Sequence, residues 1–436
     1  VFMLESYRGC PFSCSYCLWG VAQKKCDYLS VDRMNLEFEN MVNFGVRHFN
    51  LADAGFGLKK ERDISFLKNI IEIQSQIKHK INLSGYWFWQ TLNDEMLEVM
   101  KEVVSKGIMG QVDVGIQTFN PTVTTLMKRP TNFEKFNETM VRLKQHKLPF
   151  QMDLILGLPG DDYKGYLNSV ENVMRIQPDK FQTFPLSILP GSDYDKRREE
   201  LGIKTMKGSR TMEIDSIIET QSFPSTEIQK ALRVESYFYL TYTLRIINNT
   251  LRHLAKVTET SFFEVSINLF EQTSNDDNII FQLTGQYFKE LYENRHLGRT
   301  LLDNFLFKNF DSIHKELKKC FLVYLKKHDK VNSKEDIFEL LAYDLLIFPK
   351  LYSTIEKTKS FDKILEEFNP KKKSIIVNFS SRIILEKFFP NQQCNEKIFR
   401  ISFTEPKSNF REGGIATQYN FWKWSTAIEP KLSIAV

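Results

Sequence analysis

An α/β fold, a partial (β/α)6 TIM-like barrel with parallel strands, is what two patterns in this 436-residue sequence predict, together with the point at which they stop. Up to about residue 190, short apolar runs alternate with longer runs of helical spacing. Capping residues stand at several of the junctions. Beyond that point the alternation ends and mostly helical patterns follow, with strand-like runs only near 374–403. Strand followed by helix, repeated, needs crossover connections and hence parallel strands. Crossovers of one hand curl such a sheet toward a barrel, here two units short of the closed eightfold form.

The strand-like runs are VFMLES (1–6), VRHFNLA (46–52), INLSGYWF (81–88), QVDVGIQ (111–117), FQMDLILG (150–157) and KFQTFPLSI (180–188). Helical spacing covers about 31–44, 60–78, 94–106, 132–147 and 162–175. Ser30 can cap the first helix, with Gly45 after its end, and Thr91 or Asn93 can cap the third, with Gly107 closing it. The sequence thus divides into a core barrel at 1–205 and a mainly helical α+β extension at 206–436, with the turn LPGS (189–192) marking the end of the barrel rhythm. The chain begins at Val1 with a strand-like run, which leads us to expect an upstream segment.

Composition excludes several classes. Apolar residues make up 42% and charged residues 26%, the balance of an ordinary globular protein, and the 36 phenylalanines are core material. The excess of 59 basic over 54 acidic residues is too small and dispersed for a nucleic-acid footprint. The run Lys371–Lys373 reads as a solvated turn. No stretch reaches the roughly 18 apolar residues of a membrane span, and no signal peptide precedes the first cysteines. Six cysteines are too few for a disulfide scaffold, so a reducing, cytoplasmic setting is expected.

Three of those six stand within RGCPFSCSYCLWG (8–20), as Cys10, Cys14 and Cys17. This loop leaves the C-terminal end of the first strand, the end at which parallel barrels gather their functional loops. Three thiolates at this spacing can hold three corners of an iron–sulfur cubane and leave one iron open. A structural zinc would need a fourth ligand, for which Cys26 is the candidate. Cys26, Cys320 and Cys394 otherwise read as plain thiols.

The string RGCPFSCSYC, with the aromatic Tyr16 before the third cysteine, resembles the signature loop of the radical S-adenosylmethionine (radical SAM) enzymes. LADAGF, GIQTFNP, LILGLPGDD and PLSILPGS follow in the order of that superfamily, and over about 1–200 the set resembles its cobalamin-binding-domain-linked subgroup. The resemblance implies a [4Fe-4S] cluster on Cys10, Cys14 and Cys17, with S-adenosylmethionine chelated at the open iron. It implies a one-electron reductant such as flavodoxin or ferredoxin, and a small-molecule or peptide substrate. It also implies cobalamin, bound by an upstream domain that this chain lacks.

Within that frame, Asp53-Ala54-Gly55 occupies the place of a Gly-Gly-Glu-like turn that contacts the SAM amino group, although the residues differ. Ser84 can reach SAM's polar end. The turn at Leu158 brings backbone near adenine, at the start of a helix with a partial positive charge. Asp113, Gly115 and Gln117 share one strand face, and so do Gln151 and Asp153. Turned inward without partners, such groups would cost roughly 2–7 kcal/mol each, so SAM contact is expected at Asp113, Gln117 and Asp153. Trp19, Trp87 and Trp89 read as core or rim packing, and His48 as a packed core histidine.

The expected function is reductive cleavage of SAM to a 5′-deoxyadenosyl radical for cobalamin-linked methylation. Cobalamin-independent oxidation, rearrangement or peptide modification is the alternative. A non-catalytic, zinc- or cluster-stabilised binding protein is the second.

Overall fold

The computed structural model describes residues 1–206, 214–292, 305, 309–347 and four strand segments at 365–369, 374–379, 397–402 and 431–434. Lys371–Lys373 and Cys394 lie outside the described residues. The chain forms two compact units, Val1–Glu235 and Ser236–Val436.

The first unit carries six parallel strands: β1 (Phe2–Leu4), β2 (His48–Leu51), β3 (Asn82–Ser84), β4 (Val112–Gln117), β5 (Phe150–Leu156) and β6 (Lys180–Pro185). They pair in chain order as β1-β2-β3 and β4-β5-β6. A parallel bridge between Tyr86 and Asp113 joins the two halves, supported by a 3.1 Å hydrogen bond from Trp87 N to Asp113 O. Among the described residues this is an open barrel of six strands, as the alternating pattern predicts.

Five helices return the chain between strands: α1 (Val31–Asn43), α2 (Lys60–Gln76), α3 (Asp94–Ser105), α4 (Phe133–Gln145) and α5 (Tyr163–Ile176). Side chains that satisfy orphan amides fix their starts. Ser30 Oγ accepts from Arg33 N, Asn93 Oδ1 from Met96 N, Asn132 Oδ1 from Lys135 N and Asp162 Oδ1 from Gly165 N. Of the two candidates before α3, Asn93 is the cap, while Thr91 donates back to Phe88 O. A further short helix, Pro121–Leu126, follows β4, capped by Asn120.

Strand alternation sorts the side chains into two faces. Outward residues pack on the helices: Phe49 packs against Phe38 of α1 at 4.4 Å between ring centroids, and the Tyr166 hydroxyl of α5 hydrogen-bonds the Thr183 hydroxyl at 3.3 Å. Val112, Val114, Met152 and Leu154 are fully buried on that face. Truncating one of these aromatics to Ala would cost about 3–5 kcal/mol. The inward face is the opposite set: Met3, Asn50, Ser84, Tyr86, Asp113, Gly115, Gln117, Gln151, Asp153, Lys180, Gln182 and Phe184. The lumen is therefore polar, with an apolar minority.

Beyond β6, Ser187–Ile188 pairs antiparallel with Asp215–Glu219, which pairs in turn with Lys204–Met206. This sheet belongs to the same compact unit as the barrel.

The second unit is mainly helical, with helices at Asn248–Thr258, Phe262–Thr273, Ile279–Tyr292, Phe310–Lys327 and Lys334–Ile347. Ser261 and Glu264 form a capping box at the second of these. Buried Asp344 accepts from Thr250 N, the Thr250 hydroxyl and Asn249, pinning the last helix to the first. Leu365–Asn369, Ser374–Phe379, Lys397–Ser402 and Lys431–Ile434 pair antiparallel in chain order. The strand-like runs near 374–403 are two of these strands.

Candidate functional site: the cysteine loop and the barrel lumen

The cysteine loop leaves β1 through a short hairpin in which Tyr7–Arg8 pairs with Asp27–Tyr28. Asp53, just past β2, anchors its approach. The Asp53 carboxylate accepts from Ser6 N at 2.8 Å, the Ser6 hydroxyl at 2.6 Å and Tyr7 N at 3.3 Å. Burial pushes this carboxyl up to about 6, and the Ser6 hydrogen bonds hold it down. The Tyr7 hydroxyl donates to Gly55 O at 2.6 Å and lies 3.1 Å from Gly55 N, so the DAG turn is welded to the loop.

Further along, Cys10 N donates to Gln23 O and Cys17 N to Cys14 O. Ser15 N donates to Met127 O, and Tyr194 N donates to Ser15 O, both at 2.9 Å. Gly20 fits where no other residue can, because a Cβ there would sit 1.7 Å from Phe12 O.

The three cysteines are free thiols, Cys10 and Cys14 buried and Cys17 half-buried. Burial first, and the neighbouring thiols after it, push Cys10 up to about 11. Burial likewise raises Cys17, with Cys14 adding to it. Among the described residues no three His, Cys, Asp or Glu side chains converge on a single metal ion. A cubane does not ask for such convergence, since each thiolate binds its own iron. Three free, mutually interacting soft donors on one loop are the donor set such a cluster takes. Cys26 packs against the apolar group that holds Cys10 and Tyr7, and its electric field reaches both.

Arg129, which sequence reading missed, organises this loop from the far side of the barrel. Its Nη1 donates to the Tyr16 hydroxyl at 2.9 Å and its Nη2 to Gly115 O at 3.1 Å. Its guanidinium lies 5.9 Å from the Phe12 ring centroid and within electrostatic reach of Cys14 and Cys10. Thus Tyr16 is placed by Arg129, and burial pushes its phenol up strongly.

The remaining expected residues divide between mouth and lumen. Leu158 is buried, and its carbonyl accepts from Asp161 N, while Asn120 Nδ2 donates to Asp161 Oδ1 and ties two mouth loops together. Ala54 packs against the group around Tyr7 and Cys10. Ser84 lies in the lumen, its hydroxyl 3.3 Å from Phe49 O and 3.2 Å from Asn50 Oδ1. Gln117 has a left-handed backbone, φ 70°, at a register shift between β4 and β5. Its side chain folds over Gly115, where a Cβ would meet Gln117 Nε2 at 2.2 Å, and its buried Oε1 has no hydrogen-bond partner.

Asp113 and Asp153 lie deeper. Gln111 Nε2 donates to Asp113 Oδ1 at 2.6 Å, and Gln151 Nε2 to Asp153 Oδ1 at 2.8 Å. Burial pushes Asp113 up to about 6, while Gln111 and Lys180 hold it down. Burial, and then the Asp113 charge, push Asp153 up to about 7. Asp113 stands four strand positions before Gln117, roughly 13 Å along the strand. Trp87 packs on Phe56 at 5.1 Å and Trp89 on Phe136 at 5.2 Å, as packing residues, whereas Trp19 is exposed.

With this geometry in place, comparison with known proteins identifies the region. Residues 4–172 match the model of the Radical SAM superfamily. The cobalamin-dependent radical SAM methyltransferase TokK of Streptomyces tokunonensis is 21% identical over 209 residues, 46% of this chain and 30% of that protein. The ribosomal protein uS12 methylthiotransferase RimO of Trichlorobacter lovleyi is 26% identical over 220 residues, 47% of this chain and 48% of that protein. The chain thus spans half the length or less of these curated relatives. The structure of the radical SAM methyltransferase TsrM of Kitasatospora setae, with cobalamin and a [4Fe-4S] cluster bound, aligns at a TM-score of 0.41 and 14% identity. That alignment covers 47% of this chain and 39% of that one. The match thus covers a radical SAM domain at residues 4–172, the segment that holds the cysteine loop and strands β2 to β5.

Proposed function

We propose that the first unit binds a [4Fe-4S] cluster through Cys10, Cys14 and Cys17 and S-adenosylmethionine beside it. The observation that carries this reading is the position of three free thiols on the loop leaving β1, at the end of the barrel where all six strands finish. When bound, cluster and cosubstrate supply reductive cleavage of the C5′–S bond and so a 5′-deoxyadenosyl radical.

The chain's own residues do the placing. Asp53, through Ser6 and Tyr7, fixes the exit of β1 and therefore the position of Cys10. Arg129 holds Tyr16 and adds positive charge beside thiolates that must be deprotonated to bind iron. The turn Asp53-Ala54-Gly55 offers SAM its backbone, because its carboxylate is engaged by Ser6 and Tyr7. Gln117 offers an unmet amide oxygen, Ser84 a lumen hydroxyl, and Leu158 an apolar floor.

The finer reading is cobalamin-linked methyl transfer to a small-molecule or peptide substrate, with an external one-electron donor of flavodoxin or ferredoxin type. The names of matched relatives support methyl-group chemistry. In this reading cobalamin is held outside the barrel, and the barrel's part is to position substrate and exclude water. Among the described residues no helix is long and apolar enough to cross a membrane.

The test is anaerobic incubation of the iron-reconstituted protein with SAM and dithionite, followed by analysis of SAM fragments. Formation of 5′-deoxyadenosine is expected, and its absence from protein with a full cluster would overturn the reading. S-adenosylhomocysteine that forms only when cobalamin is supplied would support methyl transfer. 5′-Deoxyadenosine alone, with cobalamin present, would select direct radical chemistry instead.

A further inference from the structure

The hydrogen-bond network on the inner face of β4, β5 and β6 runs in one direction and ends on an unmet acceptor. Gln111 Nε2 donates both to Asp113 Oδ1 at 2.6 Å and to Gln151 Oε1 at 3.0 Å, and Gln151 Nε2 donates onward to Asp153 Oδ1 at 2.8 Å. Both amides spend donors on carboxyl groups. Asp153 is 3% exposed, and its Oδ2 has no hydrogen-bond donor. A hydrogen bond from the Tyr86 phenol lowers this carboxyl's proton affinity, while Oδ2 itself has no hydrogen-bond partner. A buried acceptor left unmet costs about 1–3 kcal/mol, which a donor arriving from outside would remove.

Charge and shape narrow the donor. Two carboxyls, Asp113 and Asp153, face one lysine, Lys180, whose row in the sheet includes Gln151 and Asp113. The patch is therefore electronegative when both are ionised and selects a cation. On the same inner face, Met3, Tyr86 and Phe184 are 56%, 46% and 40% exposed. These exposed side chains on the inner face offer apolar surface to a ligand in the lumen.

We propose that the lumen of this barrel binds a substrate through a primary ammonium group, which donates to Asp153 Oδ2 while its apolar portion lies against Met3, Tyr86 and Phe184. The inference rests on the radical SAM reading, because it makes the lumen the substrate chamber. It assigns Asp153, and Asp113 behind it, to substrate and leaves SAM to the mouth above. It also names a substrate class: amphipathic amines, among them lysine-like or ornithine-like side chains and alkylamines.

The test uses the iron-reconstituted full chain with SAM and no reductant, probed by saturation-transfer NMR with n-hexylammonium, n-hexanol and hexanoate. Saturable binding of hexylammonium is expected, with hexanoate failing to compete. Asp153→Asn should weaken hexylammonium at least tenfold while leaving cluster absorbance, SAM affinity and uncoupled 5′-deoxyadenosine formation as in the parent. Phe184→Ala, at an exposed position that does not threaten the fold, should weaken hexylammonium and leave methylammonium unchanged. Equal binding of hexanoate, absence of saturable amine binding, or parent-like amine affinity in Asp153→Asn would overturn the proposal. A loss of SAM affinity in Asp153→Asn would also overturn it, by making Asp153 a SAM contact. A parent protein that binds amine yet yields no 5′-deoxyadenosine on reduction would instead overturn the radical SAM reading.

Discussion

The mouth and the lumen of the barrel are both polar, but they are finished differently. At the mouth the cysteine loop is tied at Cys10, Ser15 and Tyr16 by Gln23, Met127, Tyr194 and Arg129, and within itself by Cys17 to Cys14, while Asp53 takes three donors. In the lumen the amide chain stops at Asp153 Oδ2, which is unmet. On the proposed reading the loop presents three thiols to a cluster and has to be shaped before the cluster arrives, so its own groups are satisfied internally. A chamber for exchangeable ligands keeps groups in reserve. On that reading the contrast separates what the protein holds permanently from what it releases.

The largest effects test the permanent side. Replacing Cys10, Cys14 or Cys17 with Ala should abolish iron binding and SAM cleavage together, measured as iron per chain and 5′-deoxyadenosine yield. Cys26→Ala should retain both, and loss of iron in that variant would make Cys26 the fourth ligand and remove the open corner. Gly20→Ala tests shape without touching a ligand. Its methyl group would overlap Phe12 O, so the loop must move, at a cost of about 1–3 kcal/mol for overpacking. Iron content should fall severalfold, and the melting temperature of the unit by several degrees. Unchanged iron content would show that the loop is looser than its packing suggests.

What was legible in the sequence follows the range of the interactions. Helix starts at Ser30 and Asn93 could be read because a cap acts across three residues. The six strands could be read because inner and outer faces alternate, and the three cysteines because they stand together. Asp53 stood out as a turn residue, but its task could not be read: its partners, Ser6 and Tyr7, lie 47 and 46 residues away. Arg129 is 113 residues from Tyr16, in a segment with no periodic pattern to mark it as half-buried. The antiparallel pairing of Ser187–Ile188 with Asp215–Glu219 was hidden for the same reason. Asp113 and Asp153 were legible as inward carboxylates, whereas the depth that separates Asp113 from Gln117 and the missing donor on Asp153 required the fold.

Arg129 offers an intermediate effect that sharpens the boundary between mouth and lumen. Arg129→Met keeps much of the side-chain volume and removes the charge and both hydrogen bonds. The cluster should still form, but its midpoint potential should fall, because a positive charge beside it favours the reduced, more negative state. A fall on the order of 60 mV, tenfold for a one-electron couple, is expected by anaerobic redox titration. The change should be largely reversed in Arg129→Lys if charge is responsible, and not if the two hydrogen bonds are. An unchanged potential in the Met variant would reduce Arg129 to a packing residue.

The smallest effect is thermodynamic and concerns the lumen alone. Asp153 has a folded-state value near 7 against about 3.8 for an exposed aspartate, with burial the main cause and Asp113 the second. The folded protein therefore binds more protons at this site than the unfolded chain between those values. Its stabilising contribution is complete below about pH 4 and is lost as pH rises through 7, at up to about 1.4 kcal/mol per pH unit. Asp153→Asn removes that titration. Relative to the parent, its melting temperature should rise progressively from pH 4 to pH 8. An ammonium ligand compensates the same buried charge, so saturating n-hexylammonium should recover part of the parent's loss at pH 8 and none at pH 4. If the parent and Asp153→Asn instead ran parallel across this range, Oδ2 would already be neutralised from within, and the lumen would be as finished as the mouth.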